Sequence, residues 1–424
     1  MNATTSIRMD HLARVEGHGR VDIRICDGRV EHCQWQVVEA PRFFEAMLRG
    51  RKWYEVAHVA SRICGICSIG HTLASLKATE AAMGIKVSEQ VVNLRKLLLH
   101  AENIQSHILH LGYLVLPDLF KVPSVIPLAS THTQQVLLAI RIHRLGNEMS
   151  ELLGGRTTHP QSAVVGGFAR WPTPGDLSNL RSRLEAALSE GIALAQFIGE
   201  HSANVPAFQR ETEYIALADP HEYAFYDGRI GSTEGGTFGV DEYRRVCNEY
   251  CVPQSTAKYT RHRRDSYMVG ALARFNLNYH HLGPNARNVA AMFGLRPINH
   301  SPFMNNAAQM VEVVHCVEDS IQRIDDVLMN GVKPEKASFA VRAGRATGCV
   351  EVPRGILFHE YEYNPSGECV WANCVIPTNQ NHANIQKDME TLVDQFKDRP
   401  TDEIEFMVEM LVRAYDPCIS CSTH

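Results

Sequence analysis

The sequence predicts a mainly α protein, a long-helix bundle core with small peripheral β-sheets. Three observations carry this. Ser88 to Leu116 keeps a helical hydrophobic period for nearly thirty residues, from Val91 and Leu94 through Leu98, Ile104 and Ile108 to Leu114. Similar periods recur at about 132–153, 176–200, 306–330, 380–397 and 402–415. Strand-like alternation, by contrast, is confined to short stretches. No internal repeat, low-complexity tract or linker divides the chain, so residues 1–424 are expected to form one large domain.

Taken in order, residues 20–38 alternate (Val21, Ile23, Ile25, then Val30, Trp35, Val37) around Asp27-Gly28, which makes the N-terminal region 1–40 a β-hairpin. From Pro41 the pattern turns helical. His71 to Met83 is rich in Ala and Leu and stops at Gly84, a suitable helix C-cap. The long period starts at Ser88, should end before Pro117, and by its length belongs at the centre of the bundle. Asp176 is the expected cap of 176–200. Residues 204–240 read as irregular structure with short strands, and 344–358 as strand and loop.

Composition excludes several classes. With 45% apolar and 21% charged residues the chain is ordinary globular material. A net charge of −5 gives no basic footprint for nucleic acid. No apolar run approaches the roughly 18 residues that span a bilayer. Met1 to Ser6 shows no apolar core of a signal peptide, although a partner chain could carry an export signal. Twelve cysteines are too few, in 424 residues, for a disulfide scaffold.

Four of those cysteines stand out. Cys64 and Cys67 form one Cys-x-x-Cys pair with His71 four residues on; Cys418 and Cys421 form another, with His424 three residues on. The pairs lie 354 positions apart, so they share a site only if the fold joins the two ends. Structural zinc modules usually draw their pairs from about 15–20 residues apart, and a thioredoxin-like dithiol needs a βαβ unit around it. A four-thiolate site for a soft transition metal is the better reading, with nickel, zinc and iron all open on ligand type. Cys247 and Cys251 would share a helix face if that stretch were helical. They and the lone cysteines Cys26, Cys33, Cys316, Cys349 and Cys369 read as small hydrophobes.

The motifs, in order, resemble the [NiFe] hydrogenase large subunit along essentially the whole chain. They are Arg14-Val15-Glu16-Gly17-His18; Arg62 to His71; Gly155 to Pro160; Gly270 to Arg274; Glu351-Val352-Pro353-Arg354-Gly355 with His359; and Asp416 to His424. The resemblance implies that Cys64, Cys67, Cys418 and Cys421 bind nickel. Cys67 and Cys421 would bridge to an iron carrying cyanide and carbon monoxide, and dihydrogen would be split heterolytically and reversibly. It implies Arg354, after Pro353, as a fixed charge over the open position. Asp416 would pair with Arg354, although an Asp before Pro is by itself a common turn former. The family usually has an aspartate where Ser106 stands here, a departure that removes one carboxylate from the cavity. Glu16 would take the proton from Cys421; the plainer alternative is a salt bridge with Arg14 or Arg62. His71 would donate a hydrogen bond to a bridging sulfur.

The resemblance further implies a hard cation, magnesium or iron, on Glu45, His424 and the backbone carbonyl of about Cys374. Large subunits of this family are usually made with an extension that an endopeptidase clips after this histidine, so an ending at His424 looks like the mature form or a natural variant without extension. The chain shows no run of cysteines for an iron–sulfur cluster, so electrons are expected to leave through an iron–sulfur small subunit. The ending Asp416 to His424, the Pro41-to-Glu45 segment and Ser106-His107 look like the cytoplasmic, cofactor-coupled type. Those enzymes serve NAD(P), a deazaflavin, or a heterodisulfide-reductase or bifurcating module. Competing readings are a zinc-stapled scaffold and a structural subunit of a respiratory complex, whose members have lost the cysteines.

Overall fold

In the computed structural model, which describes residues 4–424, a three-stranded antiparallel sheet leads the chain. Its strands are β1 (Thr4–Met9), β2 (Gly19–Cys26) and β3 (Arg29–Val37). β2 and β3 are the expected hairpin, and Asp27 and Gly28 turn it with φ of 48° and 70°, the left-handed pair a tight turn needs. β1 adds a strand the sequence does not announce. Its Thr4-Thr5-Ser6 start masks the alternation that buries Ile7 and Met9.

Helix α1 (Ser68–Met83) starts three residues before the expected His71 and ends at Gly84, φ 67°. It is buried almost all round, which explains why no amphipathic stripe marks its start. Ser88 caps α2 (Glu89–Leu109), its side chain accepting from the Val91 N–H at 3.4 Å. The long helix does not run unbroken to Leu116. It widens into a π-helical turn at His110–Val115 before a last α turn, Leu116–Leu119, that contains Pro117. Pro117 has no N–H to give the carbonyl four residues back, and the wider turn absorbs the mismatch.

Helices α3 (Thr133–Gly154), α4 (Pro174–Glu200) and α5 (Met304–Asn330) complete a four-helix bundle, in which α2 packs on α3 and α5, and α4 packs on the same two. Thr173, not Asp176, is the cap of α4. Thr173 Oγ accepts from the Asp176 N–H at 3.1 Å while the Asp176 carboxylate accepts from the Thr173 N–H at 3.0 Å, a capping box. Residues 204–240 hold three short strands, Glu213–Ala218, Arg229–Ser232 and Gly236–Phe238, in a four-stranded sheet whose other edge is Tyr267–Met268.

The expected strand and loop at 344–358 is an antiparallel sheet of Gly344–Val352, Gly355–Tyr363 and Cys369–Val375. Its first strand lies directly on α1. A Cβ at Gly348 would come 2.1 Å from the Ala74 carbonyl oxygen, so only glycine admits this approach. Helices α6 (Pro377–Phe396) and α7 (Thr401–Ala414) then lead to the C-terminal tail. One contiguous apolar core runs from Ile7 to Cys421, and a smaller cluster lies between the four-stranded sheet and the strands at 344–375.

Candidate metal centre

The two cysteine pairs meet. Cys64 follows a turn of 3-10 helix at Ser61–Ile63, and Cys67 is the N-cap of α1; Cys418 is the N-cap of a final helical turn, Ile419–Ser422, that carries Cys421. All four sulfurs are buried and lie within 4.8 Å of one another. Cys64 is 3.6 Å from Cys418, and Cys67 is 4.0 Å from Cys421. A tetrahedral metal–thiolate bond of about 2.3 Å places sulfurs about 3.8 Å apart, so these two edges already fit. The Cys418–Cys421 edge is tighter, at 2.6 Å.

The charges argue the same way. Cys64 accepts the Ile66 and Cys67 N–H groups at 3.2 and 3.0 Å. Burial alone would raise its pKa, but hydrogen bonds from the thiols of Cys418, Cys421 and Cys67 pull it well below the ordinary thiol value. Burial and the neighbouring thiols push Cys421 well above it. Four buried thiols of this kind cannot all ionise without a cation between them.

The tail is pinned from several sides. Glu16 O accepts the Ile419 N–H at 3.0 Å, and the Glu16 carboxylate accepts the Ser420 N–H at 3.1 Å and the Ser420 hydroxyl. Gly17, at φ 86°, lets the two segments approach, since a Cβ there would fall 2.7 Å from the Ile419 Cβ. Among the described residues Glu16 forms no salt bridge with Arg14 or Arg62, and Arg14 pairs instead with Asp118 at 2.6 Å. Burial, then the Cys418 thiolate, raises the Glu16 carboxyl to about 7. Thr378 Oγ accepts the Cys418 N–H, and Asn379 donates to the Ser422 carbonyl.

Arg354 sits in the tight turn between strands Gly344–Val352 and Gly355–Tyr363, and is 4% exposed. Its Nε donates to the Asp416 carbonyl at 2.6 Å, Nη2 to Asp416 Oδ1 at 2.7 Å, and Nη1 to Ser106 Oγ at 3.2 Å. The expected Arg354–Asp416 pair is therefore present, and Ser106 occupies the remaining place on the guanidinium. A second buried arginine holds the turn itself. Arg274 donates to both oxygens of Glu312, to Glu351, and to the carbonyls of Val352 and Pro353 at 2.6–3.0 Å. The Gly270-to-Arg274 motif was legible, but not that its arginine props up Pro353-Arg354.

His71 lies one helical turn after Cys67, wholly buried; burial holds it neutral, with a pKa lowered to about 3. Its Nδ1 is 3.0 Å from His359 Nε2, while Nε2 is buried without a protein partner. At the chain end, His424 Nε2 is 3.0 Å from the Cys374 carbonyl oxygen and 3.7 Å from Glu45, and Glu45 accepts the Cys374 N–H at 2.9 Å. Burial would raise Glu45, but His424, the Cys374 N–H and Lys258 together lower it. Three expected cation ligands thus converge. Cys247 and Cys251 do not: a short strand separates them, and one is buried while the other is exposed.

Sequence reasoning missed Arg42. Its Nη2 donates to the carbonyls of Ile63 and Ser420 at 2.7 and 2.6 Å, one guanidinium on both cysteine segments. It stands in the Pro41-to-Glu45 segment, where the resemblance gives a role to Glu45 alone.

A buried four-thiolate centre joined from the two ends of the chain defines a metalloprotein built to hold a soft transition metal. The sequence pattern of the nickel-dependent hydrogenases matches residues 42–138 and 254–424, and a HoxL-like pattern matches residues 6–40. The chain belongs to the nickel-dependent hydrogenase family, as its large, catalytic subunit. It is 32% identical to the alpha chain of sulfhydrogenase 1 of Pyrococcus furiosus over 100% of this chain and 99% of that one. It is 29% identical to a subunit of the vhc F420-non-reducing hydrogenase of Methanococcus voltae, over 99% and 95%. Its structure matches that of an NAD+-reducing nickel–iron hydrogenase in the H2-reduced state with a TM-score of 0.90 at 29% identity, covering both chains fully.

Proposed function

We propose that Cys64, Cys67, Cys418 and Cys421 hold nickel, that Cys67 and Cys421 also bridge to an iron bearing cyanide and carbon monoxide, and that the enzyme interconverts dihydrogen with two protons and two electrons. The observation that carries this is the set of four buried sulfurs within 4.8 Å, in a chain of this family. Soft thiolates suit nickel and iron. When bound, the group would supply the Lewis acidity that polarises dihydrogen and the redox capacity that takes up its two electrons.

The chain's own residues do the rest. A thiolate of Cys421 takes the proton, and Glu16, hydrogen-bonded to the adjacent Ser420, carries it outward. Arg354 sets a permanent charge over the site, oriented by Asp416 and Ser106, and follows Pro353, whose carbonyl Arg274 holds. His71 Nε2 bonds a bridging sulfur. Glu45, His424 and the Cys374 carbonyl hold magnesium or iron, a sparse set that leaves room for water ligands.

The whole of residues 1–424 acts as one catalytic domain, a reading supported by the main core, which runs from Ile7 to Cys421. Electrons pass to an iron–sulfur small subunit, then through further subunits to a soluble acceptor: NAD(P), a deazaflavin, or a heterodisulfide or bifurcating module. A maturation endopeptidase is a transient partner, and the complex works in the cytoplasm. Among the described residues no helix is long and apolar enough to cross a membrane.

The test is an infrared spectrum of the natively purified complex together with Cys421→Ser. Metal-bound carbonyl and cyanide stretches, and loss of dihydrogen-dependent dye reduction in the variant, are the expected results. Zinc without nickel, and no such stretches, would reduce the centre to a structural staple.

A further inference from the structure

We propose that Tyr361 and His359 form a hydrogen-bonded relay that fixes the tautomer of His71, so that its Nε2–H is presented to the thiolate sulfurs. The inference rests on the nickel–iron reading above and extends it to two residues given no role there.

His359 and Tyr361 are two apart on strand Gly355–Tyr363, so both point to one face, the face that packs on α1. His359 Nε2 is 3.0 Å from His71 Nδ1, with the rings edge-on at 67°. His359 Nδ1 in turn meets the Tyr361 hydroxyl at 2.5 Å. All three side chains are fully buried. Among the described residues none of their hydrogen bonds is to a carboxylate, so nothing stabilises an imidazolium and each facing pair of atoms shares a single proton.

A row of this kind has two directions. In one, His71 Nδ1–H donates to His359 Nε2, and His359 Nδ1–H donates to the Tyr361 oxygen. That leaves His71 Nε2 as a bare lone pair, buried and without a protein partner. In the other, the Tyr361 O–H donates to His359 Nδ1, His359 Nε2–H donates to His71 Nδ1, and His71 Nε2 carries the hydrogen. Only the second gives the unpartnered Nε2 something to donate to a sulfur acceptor. The Cys374 thiol, 3.7 Å from His359 Nδ1, is a further weak donor that favours the same direction.

Tyr361 is thus the source of the polarity, His359 transmits it and His71 delivers it. The two outer members are positioning residues. A sulfur that accepts a hydrogen bond donates less charge to its metal, so breaking the relay should make the centre more electron-rich.

The readout is the infrared spectrum of the purified complex. Tyr361→Phe removes one oxygen without changing shape and should move the carbonyl stretch to lower wavenumber. His359→Leu should move it further, and His359→Gln, whose amide N–H can still donate to His71 Nδ1, should return it toward the native position. Absence of these bands from the native complex would overturn the nickel–iron reading itself. Native bands that stay in place in Tyr361→Phe, and in whichever His359 variant assembles, would overturn the relay alone.

Discussion

The guanidinium of Arg42 donates to the Ser420 carbonyl at 2.6 Å, and with the same nitrogen to the Ile63 carbonyl at 2.7 Å. A residue from the N-terminal tenth of the chain therefore ties together the segments that carry both cysteine pairs. Arg42→Met leaves the Ile63 carbonyl at the centre's edge unpaired, at a cost of about 1–3 kcal/mol, and takes one donor from the Ser420 carbonyl, which keeps the Thr423 hydroxyl at 3.0 Å. We expect a lower melting temperature and a disproportionate loss of nickel, read by thermal unfolding and elemental analysis. Arg42→Lys, which can reach one carbonyl, should fall between. Full nickel content in the Met variant would show that the cysteines find each other without the clamp.

Arg354 and Asp416 form a buried pair in which Nε and Nη2, one edge of the guanidinium, donate together to the aspartate's carbonyl and carboxylate. Lysine offers a single point charge and cannot reproduce that fork. Arg354→Lys should therefore retain metal and fold but lose about 10²–10³-fold in dihydrogen oxidation, the range for one misplaced charge in a dry site. Arg354→Met should do more. It strands the Asp416 carboxylate, left with the Gln309 amide at 3.1 Å, at a cost of about 3–5 kcal/mol in stability. A Lys variant with native rates would mean that Arg354 supplies charge only, and no orientation.

The bundle was legible because long helices repeat their 3.6-residue period often enough to outvote local noise; 306–330 and 402–415 were placed to within two residues. β1 and the strand Cys369–Val375 were not, because a strand of six or seven residues shows its alternation only three times. The cysteine pairs were legible from spacing, and the meeting of Glu45, His424 and the Cys374 carbonyl was expected from the resemblance alone. Arg274 with Glu312, and Arg42 with Ser420, were not, since each pair is a contact between distant segments with no local pattern to announce it. His359 stood beside the Pro353-Arg354-Gly355 motif, yet its partner His71 lies 288 positions earlier.

Glu16 is the one carboxylate hydrogen-bonded to the segment between Cys418 and Cys421 among the described residues. Glu16→Gln keeps the size and the acceptor for the Ser420 N–H but cannot carry a proton. Dihydrogen oxidation and exchange of deuterium gas with solvent protons should both fall about 10²–10⁴-fold. The carbonyl and cyanide stretches should remain. Undiminished exchange with solvent in this variant would place the proton exit elsewhere.

Acid should destabilise the protein before most carboxylates titrate, because two histidines are buried neutral with one ring nitrogen already accepting. His382 Nδ1 accepts the Trp35 indole N–H at 3.1 Å, and His315 Nδ1 accepts the Gly283 N–H at 3.3 Å. Protonating either ring means breaking that bond inside the core. Burial lowers His382 to about 3, and lowers His315 to about 4 against the pull of Asp319. With folded values below the ordinary 6.5, the unfolded chain binds the protons first as pH falls. Their contribution is therefore complete above pH 6.5 and is lost progressively down to about 4 for His315 and 3 for His382. At about 1.4 kcal/mol per unit of pKa, the combined loss is several kcal/mol. Denaturant unfolding between pH 7 and 4 should show stability falling steadily. His382→Gln, whose amide oxygen can still accept from Trp35, should flatten that slope; an unchanged slope would mean that His382 titrates normally in the folded protein.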